Sequence, residues 1–370
     1  MKIHHNTPLK VGFVKLTDAA PYIVAKELGI YEKFGLQVEL LAQNSWSTLR
    51  DKLEMGLLDA AQMLAPMPLA NQVGMSGNRK DIIIPMITSQ NGNGVTLSKR
   101  LCEEIKLAND LTKIPFPMPA KLLKKTLERR IKDKHPKLKI ACVFPFSCHY
   151  LQLIDYLHVA KIDIDEIECV FMPPTSMAIS LESGDIDGFC AGGPYNAKSV
   201  RNDTGVTVLT SYDIWQDRAE KVLAITQCEY DKTPEVFQHL CAALIEACQW
   251  LKEVPNRFEA ARIMSRDQYL DTKIDIVAPS LLGSCLTEEG QSPRHLPHYN
   301  RFSSIFSAAD DGPYAVNRPT FDQAEWLYGK LQHVWPHAFE NKIAEQVMKQ
   351  CFRPDIFAKA ITTHKKHINK

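Results

Sequence analysis

The sequence predicts an α/β protein of two similar lobes, each built on a mostly parallel sheet. Strand-like alternation gives way to helical periodicity in the order β-α-β-α-β, and a second cycle of the same kind begins at Lys137. The third sign is a repeated phrase: LEMGLLDA, Leu53 to Ala60, returns as LESGDIDG, Leu181 to Gly188. Each copy falls at the same step, a helix ended by Gly56 or Gly184 and a strand begun at Asp59 or Asp187. At 370 residues with 45% hydrophobic content, the chain can fill two or three units of domain size.

In the first cycle Leu9 to Lys15 alternates as a strand, and Ala19 to Leu28 places Ala20, Ile23, Val24 and Leu28 on one helical face. Gly29 stops that helix. Leu36, Val38 and Leu40 form the next strand, and Asn44 or Ser45 caps a helix with Leu49, Leu53 and Leu57 facing inward. Asp59 to Leu64 and the Ile-rich Asp81 to Ser89 are the remaining strands. The second cycle reads as strand Leu138 to Phe144, helix Ser147 to Val159, strand Glu168 to Met172, helix Ser176 to Ser183 and strand Asp187 to Cys190. Between the cycles, Pro119 to Lys139 is a basic amphipathic helix with Leu122, Leu123, Leu127 and Ile131 inside; without interleaved aromatics it reads as a solvated face rather than a nucleic-acid surface. From Pro234 the chain is mainly helical, in Val236 to Val254, Asn256 to Met264, Phe321 to Trp335 and Asn341 to Cys351. Ser284 to Pro319 is a long polar stretch, a lid, a partner contact or a surface excursion.

Composition excludes several function classes. A net charge of +1 gives no field that would gather nucleic acid, membrane or a polyanion. The 10 cysteines fall at irregular spacings without a C-x-x-C pair, and read as thiols in a reducing compartment. The opening MKIHHNTPLKVGFVKL passes from polar residues into a strand without the apolar core of an export signal, and no apolar run reaches membrane-spanning length. The expectation is a cytoplasmic protein, unless an export segment has been removed.

In open α/β sheets ligands lie beyond the carboxyl ends of the strands. Trp46 follows the second strand, Asn93 the Ile-rich strand, His149 the first strand of the second cycle, and Gly192, Gly193 and Pro194 its last. On these residues alone Trp46 is a packing residue or a ligand contact, and His149 a structural histidine or a donor. No G-x-S-x-G elbow, P-loop, G-x-G-x-x-G or H-E-x-x-H is present. Cys148 and His149, neighbours at a helix start, point apart and make no dyad. His295 and His298 lack further ligands nearby for a metal.

At these residues the sequence resembles the nitrate/nitrite/bicarbonate substrate-binding proteins of ABC transporters. The resemblance runs through GFVKLTDAAPYIVAKELGIYEKFGLQVEL, SWSTLRDKL, DAAQMLAPMPLA, NGNGVTLS, FPFSCHYLQLIDYL, MPPTSM, GFCAGGPY and RAEKVLAI, closely from Leu9 to Thr226 and more loosely beyond. It implies a two-lobed periplasmic-binding-protein-like fold of the second type, with parallel-rich sheets, a ligand cleft between the lobes and a helical C-terminal part. Residues 1–95 and 225–370 would form the first lobe and 96–224 the second. It carries the anion contacts onto Trp46, Asn93, His149, Pro173, Gly192, Gly193 and Lys221. Gly193 and Tyr195 stand where relatives often have Glu and Trp, so that loop's pocket is expected to differ. It implies no metal, no cofactor and no catalysis.

Nitrate and nitrite only accept hydrogen bonds, so a matching site offers donors and a positive charge. Lys221, the Asn93 amide, the Trp46 indole and His149 can donate, joined by the Gly193 N–H and the helix start at Ser147. Bicarbonate also needs an acceptor, and bicarbonate-binding relatives are acidic where Lys221 stands; lysine there points to nitrate or nitrite. Without the resemblance Lys221 reads as a surface salt-bridge lysine. With no export signal, the chain is most similar to the cytoplasmic nitrate/nitrite sensor of assimilation operons, which holds an ANTAR-domain RNA-binding antiterminator inactive until the anion arrives. The alternatives are an ABC-transporter binding subunit without its export signal, and a pyridoxal-phosphate-linked pyrimidine synthase of the same fold, whose cysteine-dense motif is absent here.

Overall fold

The computed structural model describes residues 8–77, 80–304 and 312–368. Two compact units divide the chain. The first runs to Gln90 and resumes with Arg218–Asp271 and from Arg301 on; the second comprises Asn91–Asp217 and Thr272–Asn300.

The strands, in chain order, are β1 (Leu9–Val14), β2 (Val38–Gln43), β3 (Ala60–Leu64), β4 (Ile82–Asn91), β5 (Asn93–Ser98), β6 (Lys139–Cys142), β7 (Glu168–Phe171), β8 (Gly188–Gly192), β9 (Gly205–Thr210) and β10 (Ala219–Thr226). In the first unit they follow the order β4-β10-β3-β1-β2. β1 is parallel to both β2 and β3, whereas β10 is antiparallel to β3 and β4 and fills the place between them. The second unit orders its strands β7-β6-β8-β5-β9, with β6 parallel to β7 and β8 and β5 antiparallel to β8 and β9. Both sheets therefore combine a parallel three-strand set with antiparallel strands, a mixed version of the expected parallel-rich sheet.

The repeated phrase builds the same device twice. Leu53 and Leu181 are buried at the ends of helices Trp46–Glu54 and Pro174–Ser183, and Gly56 (φ +74) and Gly184 (φ +80) adopt the left-handed turn that glycine accepts without strain. Asp59 then donates its N–H to the Lys10 carbonyl at 2.9 Å while its carboxylate accepts the Lys10 N–H at 2.7 Å. Asp187 does the same with Lys139, at 2.8 and 2.9 Å. The aspartate of each phrase thus ties its new strand to the neighbouring parallel strand, β3 to β1 and β8 to β6.

The structure corrects some inward faces. Helix Trp46–Glu54 ends before Leu57, which is 56% exposed, and Leu58 packs inside instead. On the basic helix Ala120–Lys132, Leu123 and Leu127 are buried but Ile131 is 61% exposed. The helical repeat carries the buried face to Arg130, whose guanidinium meets Glu104 and donates to the Pro136 carbonyl at 2.9 Å. Residues 272–300, expected with the first lobe, belong to the second unit because Thr207 on β9 donates to the Thr287 carbonyl at 2.8 Å and helix Ile274–Leu281 packs on helix Tyr195–Arg201. The polar stretch holds a short antiparallel pair, Ser284–Cys285 with Arg294–His295; its residues 305–311, and the polar residues 1–7, lie outside the described residues. No described helix is long and apolar enough to cross a membrane.

The C-terminal helix Pro354–Ile368 packs along helix Pro234–Trp250 through buried Ile356, Phe357 and Ala360. Polar contacts lock it: Glu246 takes Lys33 at 2.6 Å and the His364 ring at 2.9 Å, and His239 bonds the Phe34 carbonyl at 2.9 Å. Burial pushes the imidazoles of His239 and His364 below the ordinary histidine pKa, although Glu246 pulls His364 the other way. A base whose folded pKa lies below its unfolded value of about 6.5 binds fewer protons when folded, so its stabilisation is complete above that pH and is lost as pH falls beneath it. Urea midpoints should therefore drop between about pH 7.5 and 5.5. The drop should be smaller in His364→Gln.

Candidate functional site

In the first unit, Ser45 caps helix Trp46–Glu54 by accepting the Thr48 N–H at 3.1 Å, and this sets Trp46 at the helix start just past β2. The Trp46 side chain is fully buried, and its indole N–H meets no acceptor among the described residues. A buried donor left unmade costs about 1–3 kcal/mol, so it is a standing invitation to an acceptor. The Lys221 ammonium lies 5.7 Å from the centre of the Trp46 ring.

Lys221 is wholly buried and not the surface lysine its sequence context suggests on its own. It stands in β10 beside Leu64, the last residue of β3. Its ammonium meets Asp18 Oδ2 at 2.9 Å and Glu220 Oε1 at 3.0 Å, and both carboxylates are buried. Consecutive strand residues normally point to opposite faces; the irregular register around Lys221 in β10 lets Glu220 and Lys221 meet. Asp18 is held by Gln62 of β3, whose amide donates to Asp18 Oδ1 at 2.7 Å while its oxygen accepts the Val14 N–H at 3.2 Å. The carboxyl ends of β1, β2 and β3 thus gather one ammonium, two carboxylates, an amide and an indole donor.

Sequence reasoning passed over Asp18, Gln62 and Glu220. Asp18 lies in the short turn after β1 and Glu220 precedes Lys221, so position carried a signal; charge in a buried strand did not. An anion approaching Lys221 shares it with two acceptors, a different environment from the lone positive charge expected.

In the second unit, Asn93 opens β5 opposite Gly192, which closes β8. β6, β7 and β8 run parallel, so the segments after them leave the sheet at the edge where Asn93 sits. His149 is there, on helix Cys148–Val159 after β6, fully buried. Pro173 follows β7 and precedes helix Pro174–Ser183, half-buried, and Gly193 follows Gly192. Asn93 is fully buried too, but its amide N–H₂ donates to Gln152 Oε1 at 3.1 Å and its oxygen meets no donor among the described residues. As placed it offers a ligand an acceptor oxygen, and the second N–H of its amide remains for the expected donor role. Tyr195 is buried behind this loop, which raises its phenol pKa.

The topology places Trp46 and Lys221 together in one unit and Asn93, His149, Pro173, Gly192 and Gly193 at one sheet edge of the other. Among the described residues no group of three or more His, Cys, Asp or Glu side chains could hold a metal ion; His298 instead stacks on Tyr212, ring centres 5.0 Å apart.

Residues 4–265 match the sequence profile of the NMT1-like family. The chain is 32% identical over 356 residues to the nitrate import ATP-binding protein NrtC of Synechocystis sp., and 31% identical over 356 residues to the bicarbonate transport ATP-binding protein CmpC of Synechococcus elongatus. Each alignment covers 95% of this chain and 49% of the relative, so the chain spans about half the length of these two proteins. The crystal structure of the periplasmic nitrate-binding protein NrtA from Synechocystis superposes with a TM-score of 0.83 at 25% identity, covering 96% of this chain and 88% of that one.

Proposed function

From the premise that the chain belongs to the NMT1-like family, with the fold of a periplasmic binding protein, we propose that it binds nitrate or nitrite and transforms neither. The observation that carries this reading is the buried Trp46 indole N–H without an acceptor beside the Lys221 ammonium. A flat oxyanion that only accepts hydrogen bonds satisfies both. The proposed ligand residues are Trp46, Lys221, Asn93, His149, Pro173, Gly192 and Gly193. Nitrate or nitrite at about 100 times its dissociation constant should raise folding stability by about 2.7 kcal/mol. Thermal unfolding with sodium nitrate, nitrite, bicarbonate and chloride tests it. No shift with nitrate or nitrite refutes the assignment.

Bicarbonate is the second reading, and a specific observation favours it: Asp18 and Glu220 beside Lys221 supply the acceptor that a bicarbonate hydroxyl needs. A shift with bicarbonate and none with nitrate selects it.

We further propose the sensor role: cytoplasmic, with anion binding releasing an ANTAR-domain antiterminator. Support comes from the sequence resemblance and from the cysteines, all ten of which are free thiols, Cys228 exposed among them. That state fits a reducing compartment. A transporter subunit is the competing role. Co-purification of a regulator that nitrate dissociates supports the sensor; co-purification with membrane-spanning transporter components supports the other.

A further inference from the structure

We infer that the second unit carries another ligand site, for a small organic carboxylate, on the outer edge of β9. Two chain segments are pinned to that edge by single hydrogen bonds, Met118 N–H to the Val208 carbonyl at 2.9 Å and Thr207 N–H to the Thr287 carbonyl at 2.8 Å. Together with helix Lys99–Asn109 they line a cavity of about 250 Å³. That is somewhat below the range for drug-sized ligands and suits a small metabolite.

The charges in this cavity are unevenly matched. Two of its lysines are neutralised in place, Lys99 by Asp203 at 2.6 Å and Lys106 by Glu103 at 2.6 Å. Arg294 and Lys113 are not. Arg294 lies over the Phe116 ring, 5.0 Å from its centre, and no carboxylate lies within 4 Å of it among the described residues. Among the described residues the Lys113 ammonium bonds only a neutral acceptor, Gln291 Oε1, at 3.1 Å, and Gln291 in turn donates to Glu288. Glu288 lines the same cavity yet is engaged by an amide rather than by either cation.

This arrangement fits one chemistry. A guanidinium over an aromatic ring with no carboxylate partner keeps its N–H fork available, and that fork can take a carboxylate through two parallel bonds. Lys113 supplies a second positive charge, and Val206, Val208 and Ile114 give the body of the ligand an apolar wall. Glu103 is spent on Lys106, and Glu288 adds one negative charge to the wall, which a monocarboxylate such as benzoate tolerates better than the more highly charged phosphate. None of these residues belongs to the proposed nitrate set, and the site stands whether or not that assignment holds.

Titration calorimetry on the full chain with succinate, benzoate and inorganic phosphate as probes tests it. Saturable binding of succinate or benzoate is expected, weakened about tenfold or more in the Arg294→Met/Lys113→Met double variant. Both side chains are exposed, and the variant's thermal midpoint without ligand should match the parent. The inference is overturned if neither carboxylate binds at concentrations up to about 10 mM, if phosphate binds as well as they do, or if the double variant binds them unchanged.

Discussion

Lys221→Met should lower folding stability by about 3–5 kcal/mol, the cost of withdrawing one partner from a buried ion cluster. The ammonium stands 2.9 and 3.0 Å from two carboxylates, and none of the three side chains is more than 2% exposed. Removing the cation takes away the charge that compensates both. If the cluster is the cause, a triple variant with Asp18→Asn and Glu220→Gln should recover most of the loss, because neutral isosteres need no cation. Urea unfolding of the parent, the single and the triple variant decides it. A single variant within about 1 kcal/mol of the parent would mean the cluster contributes little. Lys221→Glu, which adds a third carboxylate, should be worse still, so a lost ligand response in that variant cannot be separated from misfolding.

Trp46 gives the cleaner separation of fold from function. Trp46→Ala empties a fully buried site and should cost about 3–5 kcal/mol. Trp46→Phe keeps most of the apolar volume and deletes a donor that has no acceptor among the described residues, so stability should stay level or rise. Its nitrate affinity should nevertheless fall about tenfold or more, the weight of one hydrogen bond to a charged acceptor. Thermal unfolding and nitrate titration of the same two proteins give both numbers. If Trp46→Phe binds nitrate as tightly as the parent, the indole N–H is not a ligand contact.

The two sheets were legible in the sequence to the extent that their strands obeyed local rules. The parallel β-α-β steps announced themselves through alternation, capping serines and the glycine-ended phrase. Ser45 and Ser147 cap the helices they were expected to begin. β5, β9 and the helix Lys99–Asn109 were passed over, although Ser98 caps that helix and Leu101, Cys102, Ile105 and Ala108 trace its buried face. β10 was harder, since a strand carrying Glu220 and Lys221 in succession reads as solvent-facing, and only tertiary pairing between β3 and β4 buries it. The partner of Asp18 was hidden for the same reason: Lys221 lies 203 positions away, joined to it by fold and not by spacing.

The place of β10 also dictates an order of assembly on the ribosome. The first unit cannot complete its sheet when residue 90 emerges, because the strand that belongs between β3 and β4 is translated only at Ala219–Thr226. By then the five strands of the second unit's main sheet, ending at Thr210, have been translated, but Thr272–Asn300, which belongs to the same unit, has not. The sheet of the opening unit therefore closes only after most of the second unit has been made, and until then β3 and β4 wait as exposed edges, the stage at which a nascent chain has most need of a chaperone.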